Sequence, residues 1–232
     1  MRHALAEIAL FIAPSHFLLQ RFQRWYGDRK RVLYLENGID TTRFGQAERR
    51  EQGPGLRVAY LGTIAPHKGV HILIQALRET RSPDIELHIY GELGIFPEYG
   101  KRIARSRPDP RVYLHGRVSR EQVPQVLASA DILVVPSLWY ENSPLVIQEA
   151  FASGVPVIAA DGGAMVEKIR PGVDGLLFRR GDARNLAAKL DSLAEDPSLL
   201  RRLKDNVRSP QSIRDNAHRL EGIYEGLIQE ER

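Results

Sequence analysis

Two carboxylates, Glu141 and Glu149, bracket the stretch of this sequence best suited to chemistry, which runs from Pro136 to Phe151 and reads PSLWYENSPLVIQEAF. Upstream of it, Ile132-Leu133-Val134-Val135 is a run of strand formers that Pro136 stops. Downstream, apolar residues recur at helical spacing, with Pro144 expected at the first helical position and Ser143 as its N-cap. A helix starting there aims free N–H groups at the loop, an arrangement that attracts phosphate or another anion. Glu141 lies in the loop, and Glu149 about one and a half turns beyond Pro144 at 3.6 residues per turn. An anion site with an acid at either end suits a ligand that carries both phosphates and hydroxyls.

The elements needed to hold this stretch alternate along the chain. Strand patterns at 57–61, 86–90, 112–115, 132–135, 155–160 and 175–178 are separated by helical patterns at 69–77, 98–106, 120–128, 144 onward and 165–169. Ser119 and Gln122 resemble a capping box for the third of these helices. Three further helices, 183–195, 198–208 and 212–229, close the chain. Such alternation predicts an α/β fold, a Rossmann-like parallel sheet flanked by helices. Ahead of it stand a strand at 8–13, a helix at 16–26 capped by Ser15, and a short strand at 32–35. The polar, Gly- and Pro-containing segment from Thr41 to Gly55 marks a domain boundary.

Ligands of open parallel sheets bind outside the carboxyl ends of the strands, so the strand-to-helix loops belong together. They carry Gly62-Thr63, Lys68-Gly69, Gly91-Glu92, Gly116-Arg117-Val118, the Glu141 loop and Asp161-Gly162-Gly163. Lys68 heads a helix, where a cation is misplaced for stability but well placed to neutralise phosphate. Glycines at Gly62, Gly91, Gly116 and Gly162 let backbone approach a ligand closely. Trp139 and Tyr140, beside a strand end, are expected in the core, with lining of the pocket as the alternative. His67, His71, His88 and His115 lack metal-ligand spacing and read as surface or packing residues.

Composition narrows the field. The 232 residues hold one full domain and part of another, at 43% hydrophobic and 27% charged. No apolar run nears the ~18 residues of a membrane span, and the start has no secretory pattern. No cysteine is present, which excludes disulfides and thiol catalysis. A charge of +4 and a pI near 9.4 raise the question of nucleic acid. The acids interleaved with the bases, as in Glu48-Arg49-Arg50-Glu51, favour a solvated mixed surface and no nucleic-acid partner. Paired carboxylates also suggest glycoside hydrolysis, but a helix start poised for phosphate lies between these two.

The motifs together carry a family resemblance. Glu141 and Glu149 form an E-x7-E pattern, and it is joined in order by Gly62…Lys68-Gly69, His115-Gly116-Arg117, Ala130-Asp131-Ile132, Gly154-Val155-Pro156-Val157-Ile158 and Gly172-Val173-Asp174-Gly175-Leu176-Leu177. Over roughly 35–208 the chain resembles the donor-binding, C-terminal domain of a GT-B glycosyltransferase of the retaining family 4, also called group 1. Residues 1–34 are similar to the last strand-helix unit of that family's N-terminal acceptor domain. Residues 35–55 are similar to its interdomain linker, 56–208 to its nucleotide-sugar domain and 209–232 to its C-terminal crossover helix.

The resemblance implies a hexosyltransferase that transfers sugar from a UDP-, GDP- or ADP-sugar without a metal or other cofactor. The pathways it implies are polysaccharide, lipopolysaccharide or glycolipid synthesis. Glu149 would accept hydrogen bonds from the ribose, and Glu141 would contact hydroxyls of the transferred sugar. Lys68 and backbone amides at Asn142, Ser143, Leu145 and Val146 would hold the diphosphate, and Gly116-Arg117-Val118 would meet the base. The family usually has Arg where this chain has Thr63, which can give one hydrogen bond but no charge. The sugar, lipid-linked or polysaccharide acceptor would bind an N-terminal domain of which only the last unit is represented. The chain therefore reads as a C-terminal fragment or half of a split enzyme, weak or inactive alone, with a non-catalytic nucleotide-sugar-binding module as the alternative. A cytoplasmic location is implied, with peripheral association at the inner face of the membrane left open. The stripe of Ile213, Ala217, Leu220, Ile223, Tyr224, Leu227 and Ile228 is expected to pack on the 17–26 helix or to stay exposed.

Overall fold

Short apolar runs become parallel strands here, because a strand covered on both faces has no polar side to show. The computed structural model describes residues 8–27, 30–44, 47, 53, 55–105 and 109–230. The chain enters through a small βαβ unit, β1 (Phe11–Ala13), α1 (His16–Tyr26) and β2 (Val32–Tyr34), whose two strands pair in parallel. Ser15 caps α1, its Oγ accepting from the Leu18 amide at 3.1 Å.

The main sheet holds β3 (Leu56–Leu61), β4 (Ile85–Tyr90), β5 (Val112–Gly116), β6 (Ile132–Val135), β7 (Val157–Ala160) and β8 (Gly175–Phe178). All pairings are parallel, in the order β5-β4-β3-β6-β7-β8. Between and after them run α2 (Val70–Glu79), α3 (Pro97–Arg105), α4 (Val123–Ala128), α5 (Leu145–Ala152), α6 (Met165–Lys168), α7 (Ala183–Glu195) and α8 (Pro197–Asp205). The expected Rossmann-like α/β arrangement is the one the chain adopts. Leu87, Ile89, Ile132 and Leu133 are wholly buried, each contributing about 1.5–3 kcal/mol by leaving water. Leu73 and Leu77 of α2 and Leu186 and Leu190 of α7 extend the same core outside the sheet.

Strand order decides where a ligand can sit. From β3 the chain steps outward to β4 and β5, then returns so that β6 pairs with the other side of β3, Val58 opposite Ile132. The reversal opens a crevice at the carboxyl ends of β3 and β6. The loops that meet there are those of Lys68 and Glu141.

Element boundaries differ from expectation in several places. The helix after the Glu141 loop starts at Leu145, with Pro144 as its N-cap residue and no side-chain cap. Ser143 therefore does not cap it; its Oγ is buried without a partner. Helix α4 starts at Val123 rather than residue 120, and only half of the expected capping box forms, the Ser119 amide donating to Gln122 Oε1 at 2.8 Å. Strand β7 starts two residues later than its apolar run and α8 stops at Asp205. The expected helix end at Ser106, much of the 35–55 linker and the first seven residues lie outside the described residues.

The last helix, α9 (Ile213–Glu230), has no buried residue. Bonds leaving it reach the β1-α1-β2 unit and the segment that follows rather than the main sheet. The Ile213 amide donates to Ile39 O at 2.8 Å, Asn216 Nδ2 to Glu36 O, and Arg31 pairs with Glu230. Ile213, Tyr224 and Ile228 stay exposed along its outer face. No helix among the described residues is long and apolar enough to cross a membrane.

Candidate functional site at the strand-order reversal

The site is built by tying three strand-end loops together. After β3 the chain makes a 3-10 turn, Pro66–Lys68, ended by Gly69 in a left-handed conformation, φ 72°. Its His67 carbonyl accepts from the Leu138 amide of the β6 loop at 2.8 Å. The Glu141 carbonyl of that second loop accepts from the Ala164 amide after β7 at 2.9 Å. Gly91 shows why one of the strand-end glycines is needed. A Cβ there would stand 2.2 Å from the Gly62 carbonyl, so the close approach is of one loop to the next.

At the centre, Lys68 Nζ lies 2.7 Å from Glu141 Oε1. The same oxygen accepts from Ser137 Oγ at 2.6 Å and Trp139 Nε1 at 3.0 Å. Glu141 is only 9% exposed. Burial alone pushes its carboxyl up, but the bonds from Lys68, Ser137 and Trp139 and the Lys68 charge outweigh it and hold it below the usual carboxylate range. The pair is thus a fixed cation beside a fixed anion. A cavity of about 230 Å³ opens beside it, lined by Gly62, Thr63, Lys68, Ser137, Glu141, Leu145 and Val146 among others. The first turn of α5 meets this cavity at Leu145 and Val146, where helix geometry leaves amides without intrahelical partners.

A second cavity of about 330 Å³ shares Leu61, Gly62 and Thr63 with the first and is lined further by Tyr90, Gly91, Glu92, Arg117 and Val118. Arg117 reaches into solvent there, 4.0 Å from the Glu92 carboxylate.

Four expected site residues stand outside both linings, Gly116, Asn142, Ser143 and Glu149. Asn142 Oδ1 instead accepts from Ser15 Oγ at 3.3 Å, joining the β1-α1-β2 unit to the site loop. Glu149 is half-buried on α5, and its carboxylate accepts no hydrogen bond among the described residues. Burial pushes its carboxyl above the ordinary range, against the opposing fields of Arg120 and Arg43. An acid held in that state is hungry for donors, and a ligand hydroxyl would supply one.

Trp139 and Tyr140 are not core residues, standing 51% and 50% exposed at the rim. Trp139 lies against His67, ring centres 4.2 Å apart, with Lys68 Nζ 5.6 Å from its ring. Tyr140 stacks on Phe17 of α1 at 5.5 Å and lies under Arg180, whose guanidinium is 4.1 Å from its ring. The reason is local: the loop turns its carboxylate inward to Lys68, which leaves the flanking aromatic rings outside.

Sequence reasoning overlooked Ser137, although a polar residue directly after an apolar strand and four before Glu141 was a usable signal. Arg43 and Arg120, whose charges act on Glu149 from the segment before β3 and from the loop after β5, left no such signal. Nor did Glu167, whose carboxylate accepts from the His16 and Phe17 amides at 2.7 and 2.5 Å and thereby closes the α1 N-terminus. His88 and His115 pair ring to ring, nitrogens 2.9 Å apart, on the face of β4 and β5. No group of three or more metal-ligating side chains forms among the described residues.

Comparison with known proteins gives this geometry a context. A family profile described as Glycosyl transferases group 1 matches residues 44–209. The D-inositol 3-phosphate glycosyltransferase of Nocardia farcinica is 30% identical over 97% of this chain and 53% of its own length. The MMP alpha-(1->4)-mannosyltransferase of Mycolicibacterium hassiacum is 35% identical over 74% of this chain and 41% of its own. The chain thus spans about half the length of these curated relatives. Among solved structures, the Anabaena protein HepE in complex with UDP and glucose superposes with a TM-score of 0.82 at 23% identity, over 97% of this chain and 65% of that one. Sucrose-phosphate synthase of Thermosynechococcus elongatus gives 0.85 at 22% identity, over 98% and 60%. At those identities the superpositions establish the fold.

Proposed function

The chain belongs to the glycosyl transferases group 1 family, and from that premise we propose that it is the donor half of a retaining, family 4 hexosyltransferase. The observation that carries this reading is the convergence of Lys68, Glu141 and the first turn of α5 on one cavity at the strand-order reversal. A nucleotide-diphosphate sugar has the matching parts. Its diphosphate meets Lys68 and the amides of Leu145 and Val146, its sugar meets Glu141, and its ribose meets Glu149. The base takes the neighbouring cavity at Arg117 and Val118. The HepE structure, solved with UDP and glucose, supports such an assignment by fold.

In the transfer itself, the bond from the anomeric carbon to the diphosphate oxygen breaks, and its electron pair leaves with the diphosphate. An acceptor hydroxyl bonds to that carbon from the same face and passes its proton to the departing diphosphate oxygen. The work left to this chain is electrostatic: Lys68 faces the charge that grows on the leaving phosphate. The acceptor, whether a sugar, a lipid-linked sugar or a polysaccharide, would bind outside the elements described, and transfer by the isolated chain is expected to be weak.

Calorimetric titration with UDP-, GDP- and ADP-sugars tests the reading. One of them binds, and Lys68→Ala and Glu149→Ala each weaken it by roughly tenfold or more, as loss of a charge-assisted contact predicts. Absence of any binding sensitive to both changes defeats it. Thr63, at a position facing both cavities without a charge, favours a second reading as a non-catalytic nucleotide-sugar-binding module. Release of nucleoside diphosphate when an acceptor is supplied separates the two.

A further inference from the structure

The two oxygens of Glu141 live in different surroundings. Oε1 takes all three donors, Lys68 Nζ at 2.7 Å, Ser137 Oγ at 2.6 Å and Trp139 Nε1 at 3.0 Å. A carboxylate oxygen has two lone pairs, so three donors saturate it. Oε2 accepts no hydrogen bond among the described residues. Among the described residues, the side-chain atoms sealed from solvent without a partner are Arg57 Nε, Ser143 Oγ and Gln148 Oε1, and Oε2 is not one of them. Oε2 is therefore not sealed from solvent, and Glu141 lines the cavity.

Trp139 completes this asymmetry as the third donor. Lys68 and Ser137 hold Oε1 from the crevice, one of them through a long flexible stem. The last torsion of a glutamate is broad and easily turned, so a third donor on the rim side limits rotation of the carboxylate. The indole supplies it while standing 51% exposed. Packing alone does not explain a large half-exposed ring whose N–H is turned inward onto a carboxylate two residues away. Contact with His67 at 4.2 Å and the Lys68 ammonium 5.6 Å from the ring fix the indole itself.

We propose that Trp139 is a positioning residue that occupies Glu141 Oε1 and so dedicates Glu141 Oε2 to the hydroxyls of the transferred sugar. The inference rests on the donor reading above and deepens it. Trp139 would act on the sugar end of the ligand and leave the nucleotide end alone.

The variant that tests it is Trp139→Phe, which keeps the ring and removes the N–H. In the ligand-free protein, the Glu141 carboxyl is followed by carbon-detected NMR through an acid titration, and the change moves its midpoint upward. In calorimetry, affinity for UDP and GDP stays within about twofold of the wild type, while affinity for UDP-glucose or GDP-mannose falls about tenfold. In a Glu141→Ala background, Trp139→Phe produces no further loss, because the residue acts only through that carboxylate. An unmoved midpoint overturns the inference. So does an equal loss for nucleotide and nucleotide sugar, or a full additional loss in the Glu141→Ala background. If the wild type binds no nucleotide or nucleotide sugar, the donor reading fails and the sugar role falls with it. The titration then still decides whether Trp139 holds Glu141.

Discussion

Lys68 and Glu141, separated by 73 positions in the chain, meet at 2.7 Å across the place where the sheet reverses its strand order. One comes from the loop after β3 and the other from the loop after β6, strands that are neighbours only because the chain doubles back. The ammonium of Lys68 helps to keep the Glu141 carboxyl charged. The contact also holds the two loops at the spacing that leaves a cavity beside them.

Thr63 lines both cavities and is exposed, so a larger cation can be accommodated there. Thr63→Arg adds a second positive group facing the position proposed for the diphosphate. Affinity for UDP or GDP rises by roughly five- to tenfold in calorimetry at low ionic strength, and the gain shrinks as salt is added. An unchanged affinity would mean that the diphosphate lies elsewhere.

Glu149 predicts a trade between binding and stability. Burial raises its carboxyl above the ordinary range, so its charged form is disfavoured in the fold relative to the unfolded chain. The sign is that of an acid whose folded value is raised: the cost is present above that raised value and vanishes below the unfolded one. Glu149→Gln therefore increases the melting temperature at neutral pH by about 2–4 °C, for about 1 kcal/mol in a protein of this size. The difference closes in acid below the ordinary carboxylate range. Calorimetric affinity for nucleotide falls in the same variant, and scanning calorimetry across pH checks the rest.

Gly69 ends the turn that carries Lys68, at φ 72°, and a Cβ there would stand 2.0 Å from the Pro136 carbonyl oxygen. Gly69→Ala brings a strained backbone and a clash with the β6 loop together. The expected loss is about 3 kcal/mol, read as a fall of roughly 6–12 °C in melting temperature. Nucleotide binding weakens with it, because Lys68 shares the displaced turn. A variant as stable as the wild type would show that the two loops are free to move apart.

The parts of this structure that were legible in the sequence are those governed by nearest neighbours. Ile132-Leu133-Val134-Val135 could only be a buried strand, and Pro136 could only stop it. The helix after Glu141 was legible in kind but misplaced by one residue: Pro144 has a φ of −69° that suits the first helical position, but its ψ of 102° leaves it outside the helix. The exposure of Trp139 and Tyr140 was not legible. It depends on the loop turning Glu141 toward Lys68, a contact between distant segments. The field of Arg43 and Arg120 at Glu149 depends likewise on two distant segments that meet only in three dimensions.

The wall of Leu61, Gly62 and Thr63 common to the two cavities sets how a ligand with two ends would bind. Each compartment, about 230 and 330 Å³, is open and modest, and a fragment filling one of them has little to hold it. A molecule spanning both makes its second contact at a high effective concentration, since the first contact has already delivered the other end across a shared wall. Affinity in such a crevice is then a property of the link between the two halves as much as of either half.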